Sequence, residues 1–322
     1  MTRVGIAGVV HVHAPSYARC LASTAGTSLT GVWDPDPAAA SQFAAGVGRP
    51  AFGSLEEMVA GCDALVAAGT NIGHASVIEA GLAAGKHVLC EKPLAASSEE
   101  LDRIMAADAA MPGLLGTAFS CPYSPVFNRL VGIVRGGELG KILAVAATNR
   151  GKVPGGWFMD RAKSGGGAMI DHTVHVADLL WRLLGERPSS VSAETGNGLL
   201  GLEVEDTAHL TIGFPSGVFA TLDSSWSRPD SYPVWGDVNL SVTGEAGTTD
   251  VELFGQGVRS FSDKSVHLGT GSDLDAMMVA DFISAVNEGR PHKITAEDGI
   301  WASRVALAAY ESAACGMTVS LA

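Results

Sequence analysis

Short apolar runs alternate with helix-forming stretches through the first 117 residues, and this alternation limits the possible folds more than any other feature of the chain. Val4-Gly5-Ile6-Ala7 reads as a buried strand, followed by a helix over His13–Ser23 with Tyr17, Cys20 and Leu21 at helical spacing. A second strand, Leu29-Thr30-Gly31-Val32-Trp33, ends in Asp34-Pro35 and leads into an alanine-rich helix over Pro37–Gly46. A helix closing at Gly61, a strand at Ala64–Ala68 and a helix over Ile72–Gly85 continue the pattern. A strand at Lys86–Leu89, a helix over Ser98–Ala110 and a strand at Leu114–Thr117 complete it. Strands and helices in strict alternation predict a parallel sheet with helices on both faces.

Two places in this region carry chemistry. The run Cys90-Glu91-Lys92-Pro93-Leu94 puts Lys92 at the C-terminal end of a strand, the edge at which open parallel sheets bind ligands. Pro93 biases Lys92 toward extended backbone, so the lysine leaves the strand instead of entering a helix; a plain solvated lysine is the other reading of this stretch. The turn Gly8-Val9-Val10-His11-Val12-His13 stands where a G-x-G-x-x-G fingerprint would hold a pyrophosphate. Only the first glycine is present, with Val10 at the second position and His13 at the third, so an ordinary strand–helix turn stays open. His11 and His13 either fill the space the glycines leave or touch substrate. Asp34 lies 26 residues after Gly8, near the position of the acid that hydrogen-bonds an adenosine ribose. A carboxylate there repels a 2′-phosphate and favours NAD over NADP. Asp34 also suits the turn Asp34-Pro35-Asp36-Pro37 in its own right.

After Ser120 the pattern changes. Thr207–Phe214 alternates, with Ala208, Leu210, Ile212 and Phe214 on one face and Thr207, His209 and Thr211 on the other. Pro215-Ser216-Gly217 turns the chain into Val218–Trp226, and Val238, Leu240 and Val242 alternate again before a turn at Gly244–Gly247. Such neighbours predict antiparallel strands joined by hairpins. Two domains are expected, residues 1–119 and 120–322. Between the strands, Gly165-Gly166-Gly167 leads into a helix that carries Asp171, His175 and Asp178 at i, i+4 and i+7, on one face. This face is a functional site, a solvated stripe, or a helix start with Asp171 as cap.

Composition excludes several classes. The net charge of −13, with no basic run, argues against nucleic-acid or acidic-membrane partners. The five cysteines are odd in number and widely spaced, which suits a reducing cytosol better than a disulfide framework. The chain enters a strand at once, so no secretory signal is expected, and no apolar run reaches the roughly 18 residues of a membrane span. A cytoplasmic location follows as the expectation.

The spacing of Asn71-x-x-His74 and Gly85-Lys86-His87-Val88-x-x-Glu91-Lys92-Pro93-Leu94, together with Gly165-Gly166-Gly167-x-x-x-Asp171-x-x-x-His175-x-x-Asp178, resembles the Gfo/Idh/MocA oxidoreductase family. Gly69-Thr70-Asn71 replaces the family's usual Thr-Pro-Asn, and Thr173 stands where glycine is common. The resemblance implies an N-terminal Rossmann domain, a doubly wound parallel sheet, followed by an α/β domain with a large, mostly antiparallel open sheet. It implies hydride transfer between NAD, in preference to NADP, and a sugar, inositol or related polyol. Its catalytic set falls on Lys92, Asp171 and His175: His175 as general base, Lys92 polarising the substrate oxygen, Asp171 binding a hydroxyl or orienting its neighbours. Its cofactor contacts fall on Gly8, Val9, Val10, His11, Asp34, Gly69, Thr70, Asn71, His74, Glu91 and Lys92. Its substrate pocket falls on Lys92, Tyr123, Asn149, Trp157, Arg161, Asp171, His172 and His175, with Arg150 nearby. Asp171, His172 and His175 lack a further well-spaced ligand, so no metal is expected. A homodimer or homotetramer through the C-terminal sheet is also implied. Two other functions remain on the same fold: a redox-neutral, NAD-retaining enzyme that processes glycosides, and a non-catalytic sugar or nucleotide sensor, for which Val10 is the supporting feature.

Overall fold

A computed structural model describes residues 1–261, 265–269 and 271–321 of the chain. The chain divides into two compact units. Met1–Ser120, Ala162–Gly165 and Leu274–Ile300 form the first, and Cys121–Arg161, Gly166–Asp273 and Trp301–Ala322 form the second.

The first unit opens with β1 (Thr2–Ala7), α1 (Ala14–Ser23), β2 (Thr27–Trp33), α2 (Pro37–Val47) and α3 (Leu55–Gly61). It continues with β3 (Ala64–Ala67), α4 (His74–Ala83), β4 (His87–Cys90), α5 (Ser98–Ala110) and β5 (Leu115–Thr117). The five strands are parallel, in the order β2-β1-β3-β4-β5. Every residue of β3 and β4 is buried, the signature of a parallel sheet covered on both faces, where alternation is lost. Ser54 and Ser97 set the starts of α3 and α5 by accepting the N–H of Glu57 and Glu100, each with two glutamates in the first turn. The strand order reverses between β1 and β3, and the chain leaves these two strands at Gly8 and at Ala68-Gly69.

The second unit holds α6 (Pro125–Arg135) and β6 (Ile142–Gly151); the chain then makes a single helical turn, α7 (Arg161–Ser164), all but its first residue in the first unit, and returns with the long α8 (Ala168–Leu184). Then come β7 (Ser190–Gly196), β8 (Thr207–Gly213), β9 (Phe219–Ser225), β10 (Gly236–Gly244) and β11 (Gly247–Glu252). A hairpin of β12 (Gly257–Phe261) and β13 (Ser265–Gly269) precedes α9 (Leu274–Glu288), α10 (Ala296–Cys315) and β14 (Val319–Ser320). The seven-stranded sheet runs β11-β10-β6-β9-β8-β7-β14. All its pairs are antiparallel except β6 with β9. On β8, Ala208, Leu210 and Ile212 are buried while His209 and Thr211 are exposed, as the alternation predicts. Helix α8 is apolar nearly all round and buries Val174, Val176, Ala177, Leu179, Leu180 and Leu183, the pattern of a core helix. α9 belongs to the first unit, where Asp275 accepts the Ser16 hydroxyl of α1 at 2.6 Å.

A charge network ties three strands of the second sheet together. Asp237 of β10 accepts from Thr148 Oγ1 at 2.8 Å and from Arg150 Nε at 3.3 Å on β6, and from Arg228 Nε at 3.0 Å. Arg150 also faces Asp223 of β9 at 3.9 Å. Burial alone would raise the Asp237 carboxyl, but Arg228, Thr148 and Arg150 hold it below its ordinary value. A depressed folded value means the stabilisation is present above the unfolded value and is lost as pH falls through the folded one. Asp237→Asn is therefore expected to cost about 2 kcal/mol at pH 7. That difference from wild type should shrink as the pH drops below about 4, as read from urea unfolding curves.

Candidate active site

In the first unit, Gly8 leaves β1 at φ +80°, and a Cβ there would stand 2.3 Å from Gly69 Cα. The two backbones touch where the strand order reverses, the position at which open α/β sheets hold nucleotides. The Asp34 carboxylate at the end of β2 is 5% exposed and shapes this turn. Its Oδ2 accepts Val9 N–H at 2.8 Å and its Oδ1 accepts Asp36 N–H at 2.9 Å. His11 N–H bonds Ala68 O at 3.2 Å. The first turn of α1 carries no acidic residue to compete with an anion. Val10 is 37% exposed. Close approach at Gly8, a carboxylate ending β2 and an acid-free helix start fit a dinucleotide.

Beyond β4, Glu91 is fully buried. Its Oε1 accepts from the Tyr17 hydroxyl and from His13 Nδ1 at 2.9 Å, and its Oε2 accepts the Lys92 N–H at 3.0 Å. His11 Nδ1 lies 3.3 Å from Oε1. Burial opposes ionisation of Glu91, but the two imidazoles and Lys92 outweigh it and hold the carboxyl well below its usual range. Burial lowers His11 to about 3 against the pull of Glu91, and raises the Tyr17 hydroxyl well above its range, with Glu91 adding to the rise. At His13 burial pulls downward, and the neighbouring Glu91 more than reverses it. On the far side of Lys92, His74 Nδ1 bonds Pro93 O at 2.9 Å, across a Lys92–Pro93 peptide that is cis. Lys92 itself is 5% exposed. The Asn-x-x-His and Glu-Lys-Pro stretches are thus one device, fixing the backbone on both sides of Lys92. Gly69 and Thr70 link β3 to the turn Asn71–Gly73. Asn71 Nδ2 donates to Ser164 O at 2.8 Å. Asn71 Oδ1 and His74 Nε2 are buried without a hydrogen-bond partner among the described residues.

In the second unit the glycine run is dictated by crowding. A Cβ on Gly166 would fall 1.8 Å from the Tyr310 hydroxyl, and one on Gly167 would fall 2.0 Å from Glu205 O. Glu205 Oε1 accepts the N–H of Gly167 at 2.7 Å and of Met169 at 3.2 Å, and also the Tyr310 hydroxyl. This carboxylate caps α8 from outside the helix, at the end where negative charge is favoured. Four residues into α8, Asp171 Oδ2 accepts Trp226 Nε1–H at 3.0 Å, with His172 Nε2 at 3.3 Å. Thr173 is fully buried and donates to Ser224 Oγ at 3.4 Å. His175, one turn on from Asp171, is half-buried. Asp178 does not belong with them chemically: it is buried and paired with Arg182, whose Nε lies 3.0 and 2.9 Å from its two oxygens.

The remaining pocket candidates are spread over the second unit. Tyr123 is buried in the short turn Cys121–Tyr123. Trp157 stacks on Phe158, ring centroids 3.9 Å apart, and packs against the cluster of Phe158, Ala168, Val204 and Trp226. Asn149 is buried and donates to Asp237 O at 3.1 Å. Arg161 lies 3.6 Å from Glu205 and lines a pocket of about 340 Å³ with Thr195, Asn197, Glu203 and Tyr310. Trp226 and Glu205, which position Asp171 and the start of α8, escape the sequence reading. The only trace of Trp226 is its place at the end of an alternating strand, and that of Glu205 is the Glu205-Asp206 pair before β8.

Family models match both parts of the chain: an oxidoreductase family with an NAD-binding Rossmann fold over residues 2–118, and the GFO/IDH/MocA C-terminal domain over residues 127–250. The chain belongs to the Gfo/Idh/MocA oxidoreductases. It is 28% identical to 1,5-anhydro-D-fructose reductase of Ensifer adhaerens over 86% of this chain and 85% of that one. It is 29% identical to myo-inositol 2-dehydrogenase of Thermotoga maritima over 77% and 76%. Among solved structures it resembles GenD2 from gentamicin A biosynthesis in complex with NAD, with a TM-score of 0.89 and 26% identity over 100% of this chain and 96% of that one. The NAD-binding assignment agrees with the turn at Gly8 and the carboxylate of Asp34. No helix among the described residues is long and apolar enough to cross a membrane.

The crowding at the start of α8 has a direct test. Gly167→Ala should cost about 2 kcal/mol of stability. Gly198→Ala, where a Cβ meets nothing within 4 Å, should stay within about 0.5 kcal/mol of wild type. Chemical denaturation of the two variants compares them.

Proposed function

We propose that this chain transfers a hydride between NAD and a hydroxyl-bearing carbon of a sugar, an inositol or a related polyol. The observation that carries this reading is Lys92: a lysine 5% exposed, just past a parallel strand of a dinucleotide-binding sheet, with its backbone fixed on both sides. NAD, when bound, supplies the hydride acceptor. The Gly8-Val9-Val10-His11 turn, Asp34, Gly69, Thr70, Asn71 and His74 hold it, and Glu91 contributes by holding Lys92. Lys92 places an ammonium against the substrate oxygen and stabilises the negative charge that develops there. His175 takes the hydroxyl proton as the general base. Asp171, fixed by the indole of Trp226, binds a neighbouring hydroxyl. Tyr123, Asn149, Trp157, Arg161 and His172 contribute to substrate selection.

Two further features complete the reading. The protein acts in the cytoplasm. It assembles as a homodimer or homotetramer through the second sheet, whose outward face carries His209, Thr211, Thr221 and the 49%-exposed Phe219. A monomer mass by light scattering at micromolar concentration rejects the assembly.

Calorimetry on nucleotide-stripped protein should show NAD⁺ binding more tightly than NADP⁺, because Asp34 repels a 2′-phosphate. A polyol and sugar screen followed by absorbance of NADH should then find a substrate. On it, Lys92→Ala and His175→Ala should each lower kcat by at least about 100-fold. Unchanged turnover in both variants would sink the residue assignment. Failure to bind either dinucleotide would move the protein to the sensor reading.

A further inference from the structure

The turn after β1 and the loop after β4 bring two imidazoles and a carboxylate together, those of His11, His13 and Glu91, with one ligand atom of each within 4.8 Å of the others. We propose that they form a binding site for one divalent transition-metal ion of the zinc class. This inference stands apart from the hydride-transfer reading and does not depend on it.

Two imidazoles and one carboxylate are the donor set of zinc sites that keep an open coordination position. Magnesium and calcium prefer all-oxygen surroundings, so the set selects against them. The spacing is right. Two donors each about 2.1 Å from a tetrahedral ion stand about 3.4 Å apart. His11 Nδ1 is 3.3 Å from Glu91 Oε1 and needs no movement, while His13 Nδ1, at 2.9 Å, has to move outward by only a few tenths of an ångström. The His13 N–H points at His11 Nδ1 from 3.3 Å, which makes that nitrogen an acceptor. That nitrogen is therefore the unprotonated one of its ring, as a metal ligand must be.

The frame is rigid where it has to be. His11 N–H is bonded to Ala68 O at 3.2 Å and Glu91 N–H to Ala67 O at 2.9 Å, so two of the three ligands hang from the end of the same strand, β3. The Tyr17 hydroxyl on Oε1 and the Lys92 N–H on Oε2 steady the carboxylate, as groups around metal-bound carboxylates generally do. His11 and Glu91 are almost wholly buried, whereas the His13 side chain is 40% exposed. The ion enters past His13, and its open position faces that side.

The test uses the untagged, full-length chain, stripped with a chelator and then freed of it. Titration with Co²⁺ should give the visible d–d absorption of four- or five-coordinate cobalt, saturating at one equivalent, and Zn²⁺ should displace it. Mg²⁺ should not. His13→Ala removes the half-exposed ligand and, with circular dichroism showing the variant folded, should weaken Zn²⁺ binding by at least about 10-fold in calorimetry. Glu91→Gln should do the same if circular dichroism shows it folded. His209→Ala, on the exposed face of β8, should leave affinity unchanged. Absence of saturable binding at one equivalent, a cobalt spectrum no different from the aqueous ion, or equal affinity in His13→Ala and wild type would each overturn the site.

Discussion

The Glu91 carboxylate is removed from water entirely, and a charge in that position costs several kcal/mol unless donors surround it. Here the Tyr17 hydroxyl, the His13 imidazole and the Lys92 amide surround it, and each comes from a different requirement of the fold. Tyr17 lies on the inner face of α1, so the helix is pinned to the end of β4. His13 closes the turn before α1. The Lys92 amide ties the carboxylate to the residue whose side chain carries the proposed chemistry. Removing the charge would release all three at once, because a buried donor deprived of its acceptor is costly in its own right.

The second unit solves a similar problem in a similar way. Glu205 is buried and accepts two backbone N–H groups at the start of α8, plus the Tyr310 hydroxyl. The glycines at 166 and 167 are the steric condition for it, since any side chain there would occupy the space of Tyr310 or of the Glu205 backbone. In both units a buried carboxylate grips main-chain amides next to a candidate catalytic residue. The backbone is thereby placed by strong, charge-assisted bonds, beside Lys92, Asp171 and His175, the residues to which the proposal assigns the chemistry.

Much of this was legible in the sequence, and the reasons are physical. Strand–helix alternation follows from local pattern, so the parallel sheet and the later antiparallel one could be read directly. Lys92 could be read because a strand end before proline has few possible geometries. What could not be read depends on distant partners. Asp178 sits at the spacing that suggested a shared polar face, but its partner, Arg182, draws it into a buried pair. Trp157 has the composition of a sugar platform, and no spacing says that it also stacks on Phe158 and packs against the Trp226 cluster. Glu91 reads as a cofactor contact from its motif, and no spacing says that its oxygens also accept from Tyr17, His13 and Lys92. No spacing rule announces that Trp226, 55 residues away, donates to Asp171.

The glycine-poor turn illustrates how fold and ligand place separate demands on one stretch. Gly8 is required by the fold itself: φ is +80° and Gly69 fills the space of a side chain. No other residue type in the described chain adopts a positive φ, so Val10 and His13 hold ordinary backbone geometry. The glycines usual at those two positions are thus not needed to form the turn. Their role elsewhere is to let a phosphate backbone come close or a helix pack tightly, and here His13 instead serves the Glu91 cluster while Val10 is exposed. The turn has exchanged small size at its third position for a hydrogen-bonded anchor to β4. Any consequence of that exchange falls on what binds at the turn, and the fold bears none of it.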